Sequence, residues 1–284
     1  MRTLLEALLA LVAAALWPVA ALAAEALAMV TDVQGRVLLA PGRAAVEILA
    51  ELPADAAVEL APGARLTLVY VKGGAEYEVS GPGSARLAAA GPAVAGGAKL
   101  QAKDRLPDVY RDVKLKPARL AQASMVMRGA RPGATLKLVS PVGTLVTTPS
   151  PTFRWEPVAG ATAYRLQLAD AAGQVVFARE VDGVSFALPA DVVLRPDESY
   201  AWQVETSGPG GRRMANFSEF GVVAPTLVAQ LAAARPAADA PVADRVRYAA
   251  LLEAHGLVEE ARGWWKALAG ERIGEPSLKA LAGN

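Results

Sequence analysis

The stretch from Pro151 to Asp170 leaves this chain the fewest options. Phe153 and Trp155 stand two apart. After a corner, Tyr164, Leu166 and Leu168 alternate with Arg165 and Gln167. Side chains two apart in a strand share a face, so the stretch reads as strand, corner, strand with one apolar side. Only 6% of the chain is aromatic, and much of its 53% hydrophobic content is alanine. Each Trp, Phe and Tyr therefore counts heavily in a core. The chain before this stretch reads as a separate β-rich unit, and the residues after Pro225 as a helical appendage.

The unit around it spans 136–224. Asp170 to Gly173 reads as a hairpin loop. Gln174 to Ala178 returns, with Val175 and Phe177 on one face. Asp182-Gly183 turns into Val184 to Leu188. In Ser199 to Glu205, Tyr200, Trp202 and Val204 share a side; Gly208 to Gly211 closes a hairpin, and Arg212 to Val223 is the last strand. About seven strands in so short a span fit a β-sandwich. The unit resembles a fibronectin type III module at Phe153-Arg154-Trp155, Ala161 to Leu166 and Leu194 to Val204. The resemblance implies a tyrosine corner, in which the Tyr200 phenol bonds to backbone near Leu194.

Residues 24–100 show short β-type runs between Gly- and Pro-containing turns, which argues an all-β unit. In Arg65 to Val71, Leu66, Leu68 and Tyr70 share one face, and Arg65, Thr67, Val69 and Val71 the other. In Glu76 to Val79, Tyr77 and Val79 point one way, and Glu76 and Glu78 the other, as a solvated pair. The region resembles the FecR-type periplasmic domain at Val30 to Val37, Leu60 to Tyr70 and Tyr77 to Gly83. That implies a β-rich fold and an envelope location. Signalling members of the family carry an N-terminal cytoplasmic anti-sigma domain and a membrane helix. Here a signal-like segment begins at Met1, so anti-sigma activity is not expected.

That segment, 1–23, has Arg2 at its start, an apolar run from Leu4 to Leu22 and an Ala21-Leu22-Ala23 end. It reads as a signal peptide cleaved after Ala23, with a retained anchor as the alternative. A periplasmic or secreted protein is expected. The chain has no cysteine, which excludes disulfides, thiolate catalysis and Cys-based zinc or iron–sulfur sites. Its one histidine, His255, sits beside a helix-ending glycine, a poor setting for a catalytic base. A net charge of +1 selects neither nucleic acid nor an acidic substrate.

Residues 101–135 read as a basic linker. From Lys99 to Arg131 nine basic residues, among them Lys103, Arg105, Arg111, Lys114, Lys116 and Arg119, face Asp104, Asp108 and Asp112, a net +6. Such a stretch suits an anionic headgroup, an acidic glycan or an acidic protein face, or is a solvated connector. Tyr110 is its only aromatic residue, which argues against single-stranded nucleic acid.

Residues 225–284 change period. Leu227, Val228 and Leu231 mark a first helix. Val246, Ala249, Ala250 and Leu252 mark a second, ending at His255-Gly256. Leu257, Ala261, Trp264, Trp265 and Leu268 mark a third. Tyr248 to Leu257 with Glu260-Ala261 resembles one tetratricopeptide-type repeat. One repeat cannot bury its own face, so the hairpin is expected to pack on the sandwich, on a second copy or on a partner. Trp264 and Trp265 point about 100° apart, so one is expected inside and the other is a candidate contact.

These readings converge on a mainly β protein: a FecR-like β domain, an immunoglobulin- or fibronectin-like sandwich and a helical hairpin. The expected role is a non-enzymatic envelope binding or scaffold protein, with envelope sensing or signalling as its setting, and without cofactor, metal or nucleic acid. An envelope protein or cell-wall glycan is the expected partner, with at most peripheral membrane contact. The candidate contacts are Lys103, Arg105, Arg111, Lys114, Lys116, Arg119, Trp264 and Trp265. The alternative is a carbohydrate-binding module, which requires Trp155, Trp202 or Trp264 exposed on a concave face.

Overall fold

The computed structural model describes residues 25–103, 106–110 and 136–283. The chain is mainly β. The first unit contains β1 (Ala26–Gln34), β2 (Val37–Ala40), β3 (Glu51–Pro53), β4 (Ala57–Leu60), β5 (Arg65–Tyr70), β6 (Glu76–Ser80), β7 (Gly83–Ala88), β8 (Gly91–Ala95) and β9 (Lys99–Ala102). They form two antiparallel sheets, in the orders β3-β1-β5-β6-β9 and β2-β4-β7-β8. Lys99, placed with the basic linker on charge, pairs with Ser80 as the start of an edge strand.

Alternation places Leu66, Leu68 and Val79 between the sheets, against Val58, Leu60 and Leu87 of the smaller one. β1 follows the same rule until its register shifts between Val30 and Asp32. That irregularity is why its core positions run Ala28, Val30, Val33 instead of keeping strict period two. The other face of the larger sheet is also covered. Register aligns Met29, Val69 and Glu76 across β1, β5 and β6, and all three are buried. The sheet is therefore a middle layer, which explains why β5 is buried from Leu66 to Tyr70.

The covering layer is the helical tail: α1 (Pro225–Ala234), α2 (Val242–Ala254), α3 (Val258–Glu271) and α4 (Pro276–Gly283). Its Val246, Leu251, Leu257, Trp265 and Leu278 share one core with the first β unit, and α2 packs on β1. Within the chain, the hairpin touches the sandwich but does not rest on it alone. It lies chiefly on the first β unit, nearly two hundred residues away in sequence, because that unit offers a second apolar face. α4 starts on Pro276 and spaces Leu278 and Leu281 three apart; buried Leu278 ties it to α3.

The second unit contains β10 (Leu138–Ser140), β11 (Thr144–Val146), β12 (Thr152–Trp155), β13 (Tyr164–Asp170), β14 (Val175–Val181), β15 (Ser185–Ala187), β16 (Ser199–Ser207) and β17 (Arg213–Val222). Its sheets run β10-β12-β15 and β11-β17-β16-β13-β14, with β11 parallel to β17. It is a β-sandwich with a core of its own. Phe153, Trp155, Tyr164, Leu166, Leu168, Tyr200, Trp202 and Val204 are all buried in it. The Phe153 and Trp202 rings lie 5.0 Å apart, and Trp202 Nε1 donates to the Pro141 carbonyl at 2.7 Å. The corner also forms: the Arg195 N–H donates to the Tyr200 phenol oxygen at 2.8 Å. Val175 departs from its expected pairing with Phe177. It is exposed, while Phe177 is half-buried and stacks on Phe186, because the β13–β14 register slips at Ala169.

Candidate functional site

The most unusual chemistry lies where β6, β9 and α2 meet. The Gly73-Gly74 turn starts β6 so that Glu76 enters the helix-covered face, where only 4% of the residue is exposed. Arg247 on α2 is also buried. Its Nη1 lies 2.5 Å from Glu76 Oε2, and its Nη2 2.6 Å from Asp244 Oδ1 on the same helix. Lys103, just beyond β9, places its Nζ 4.0 Å from Glu76 Oε1 and 3.3 Å from Glu78 Oε2. Arg65 reaches Glu78 from the other side at 3.1 Å. Alternation alone puts Glu76 in a solvated acidic pair; the helical layer makes it a buried ion-pair member instead.

Burial pushes the Glu76 carboxyl above its usual range, although Arg247 and Lys103 pull it down. Burial likewise holds the Tyr110 phenol, beside this cluster, at about 12. Glu76 Oε1 and Arg247 Nε and Nη1 lack hydrogen-bond partners: the close Arg247–Glu76 approach is a charge contact without hydrogen-bond alignment. A pocket of about 320 Å³ opens beside the cluster, lined by Gly73, Ala75, Glu76, Tyr77, Ala102 and Lys103. Three cations alternate with three carboxylates here. The set is electrically balanced, and its evident work is to lock α2 onto β6.

The predicted contact residues scatter. Lys103 belongs to the ion-pair cluster. Arg105, Arg111, Lys114, Lys116 and Arg119 lie outside the described residues, as does the signal-like segment. Trp265 is 2% exposed and donates from Nε1 to Glu253 Oε2 at 3.1 Å, so it is the inward-facing member of the pair. Trp264 is half-buried, edge-on to Tyr248, with the Arg235 guanidinium 5.9 Å from its ring centre. Among the described residues no three His, Cys, Asp or Glu side chains converge as a metal site. No helix among them is long and apolar enough to cross a membrane.

Sequence reasoning missed the junction between tail and sandwich. Gly256, at φ +76°, closes a Schellman turn after α2: Leu257 N–H donates to the Leu252 carbonyl and Gly256 N–H to the Glu253 carbonyl, both at 2.9 Å. The Gly256 carbonyl then accepts from the Leu145 N–H at 2.8 Å and from Thr144 Oγ1 at 3.3 Å. Glu259 accepts from Ser140 Oγ at 2.6 Å and the Val142 N–H at 2.8 Å; Glu260 accepts from Thr147 Oγ1 at 2.7 Å. The Glu259–Glu260 pair, a solvated face by its sequence, is a docking element. The glycine signal was visible; its partner strand was not.

No family model and no curated protein matches the chain. Among solved structures, CopC from Methylosinus trichosporium OB3b aligns at 17% identity and a TM-score of 0.24, covering 31% of this chain and 93% of CopC. Pectate lyase Pel3 from Pectobacterium carotovorum aligns at 15% identity and 0.22, covering 30% of this chain and 25% of the lyase. A two-domain fibronectin type III segment of chicken tenascin aligns at 14% identity and 0.21, covering 70% and 86%. Scores this low carry no ligand or activity across.

Proposed function

We propose that this is a non-catalytic binding or scaffold protein of the cell envelope, periplasmic or secreted after cleavage at Ala23. In this reading a FecR-like β domain and a fibronectin-like sandwich are presented as one braced body. The observation that carries it is the tail: α2 and α3 bury Trp265 against the first β unit and hydrogen-bond the sandwich, so they serve as a brace rather than a docking arm. External contact then falls to the basic residues Arg105, Arg111, Lys114, Lys116 and Arg119, with an anionic partner, Lys103 being engaged by Glu76 and Glu78. An envelope protein ranks ahead of a cell-wall glycan, because Trp155 and Trp202 are core residues and the half-buried Trp264 already meets Tyr248 and the Arg235 guanidinium.

Two measurements test this. N-terminal sequencing of the exported protein is expected to begin at Ala24. Cross-linking pull-down from envelope extracts, run beside sedimentation with purified cell-wall sacculi, is expected to lose its partners when Arg105, Arg111, Lys114, Lys116 and Arg119 are changed to Glu. Retention of every partner by that variant would remove the basic stretch from the contact surface. Sedimentation with sacculi alone would favour the glycan reading.

A further inference from the structure

An edge strand presents a row of N–H and C=O groups that can receive another strand. Among the described residues the four sheets end in eight edge strands, and all but one of these are three to five residues long. β11 is further occupied by the tail, its Leu145 N–H donating to Gly256, and β8 carries Pro92, which has no N–H to offer. β14 differs. It is seven residues long, carries neither proline nor lysine, and among the described residues pairs with β13 alone. Its register slips near Val175, but Phe177 to Val181 pair regularly. Val175 is 59% and Val176 43% exposed, and Ala178, Arg179 and Glu180 are exposed as well. Beside them the half-buried Phe177–Phe186 stack marks an open side of the sandwich, since β14 and β15 are edges of its two sheets.

We propose that β14 is a dimerisation edge and that its occupant is the β14 of a second copy, paired antiparallel about a twofold axis. An axis normal to the sheet keeps each face on its own side, so odd-numbered residues meet odd and even meet even. Centred on Ala178, the axis pairs β14 over its whole length. Ala178 then meets Ala178, Arg179 meets Phe177, and Glu180 meets Val176. The Arg179 guanidinium comes over an aromatic ring, and no like charges stand opposite each other. Moving the axis on by one residue sets Arg179 against Arg179, and by two Glu180 against Glu180; moving it back shortens the ladder. The charge pattern of the strand is thus compatible with itself in one full-length register. The same pairing covers the exposed valines of both copies and draws their Phe177–Phe186 stacks towards each other. One ladder is small beside a standard interface, so the dimer is a dissociable one.

Sedimentation velocity on the full chain is expected to show monomer passing to dimer between about 1 μM and about 1 mM. Ala178→Glu and Ala178→Lys each set like charges against each other on the axis. Each alone is expected to raise the dissociation constant about threefold to tenfold. An equimolar mixture of the two sets opposite charges there and is expected to recover the parent value within about twofold. Far-ultraviolet dichroism should be the same for all three chains, because Ala178 is exposed. A chain monomeric throughout would overturn the proposal and leave the edge to a foreign strand. So would a dimer that both variants leave unchanged, or a mixture that stays as weak as its components.

Discussion

Glu76 occupies a position that strand alternation assigns to the face opposite Val79, and nothing local says that this face is covered. Its burial makes the Arg247 contact consequential. Paired buried charges add little net stability, but removing one partner strands the other. Arg247→Met is expected to cost about 3–5 kcal/mol, read from urea midpoints. The double variant Glu76→Gln with Arg247→Met should recover much of that; strictly additive losses would show that the two do not act as a pair. Tyr70 offers an independent readout. Its hydroxyl donates to the Ala88 carbonyl at 2.7 Å, and burial pushes its pKa from 10.0 to about 12. Stability from this group is complete below pH 10 and is lost as pH rises towards about 12. Tyr70→Phe is expected to be less stable by about 1 kcal/mol at neutral pH, yet to lose less on going alkaline, as followed by dichroism.

Among the elements, two glycines hold geometry that no other residue supplies. Gly256 combines a left-handed backbone with the carbonyl that meets β11. Gly256→Ala is expected to cost about 1 kcal/mol in overall stability and to loosen the sandwich junction, seen as faster amide exchange at Leu145. Gly83 begins β7 at φ +143°, and an added Cβ would lie 2.4 Å from the Ala95 carbonyl oxygen and 2.5 Å from Ala98 N. Both obstacles are backbone, so the sheet itself must shift. Gly83→Ala is expected to destabilise the first unit by about 2–4 kcal/mol in a denaturant titration. Strands such as β1, β5, β6, β13, β16 and β17, most turns and the first three helices were legible in the sequence because each is written in local periodicity and punctuation; β3, β4, β8, β9, β10 and β11 were not. The short helix α4 is marked locally by Pro276 and the Leu278–Leu281 spacing, but its place against α3 is not.

For the whole molecule, the tail completes the first β unit. A chain ending at residue 236 would expose Met29, Val69 and Glu76 together. It is expected to lose the first unit's cooperative unfolding, while Trp155 and Trp202 keep their buried emission in an independently folding sandwich. Joint loss of both units would show that the sandwich depends on the tail. The sequence by itself determined the β class, the sandwich core, the Tyr200 corner and the Gly256 helix stop, because alternation, aromatic spacing and glycine act within a few residues of one another. Only the tertiary structure decided that Glu76 is buried, that Trp265 is core and that Glu259 bonds to Ser140 and Val142 of the sandwich. Those outcomes depend on which surfaces meet between segments far apart in the chain, 119 residues for Glu259 and Ser140, and periodicity assigns a residue to a face without stating what covers that face.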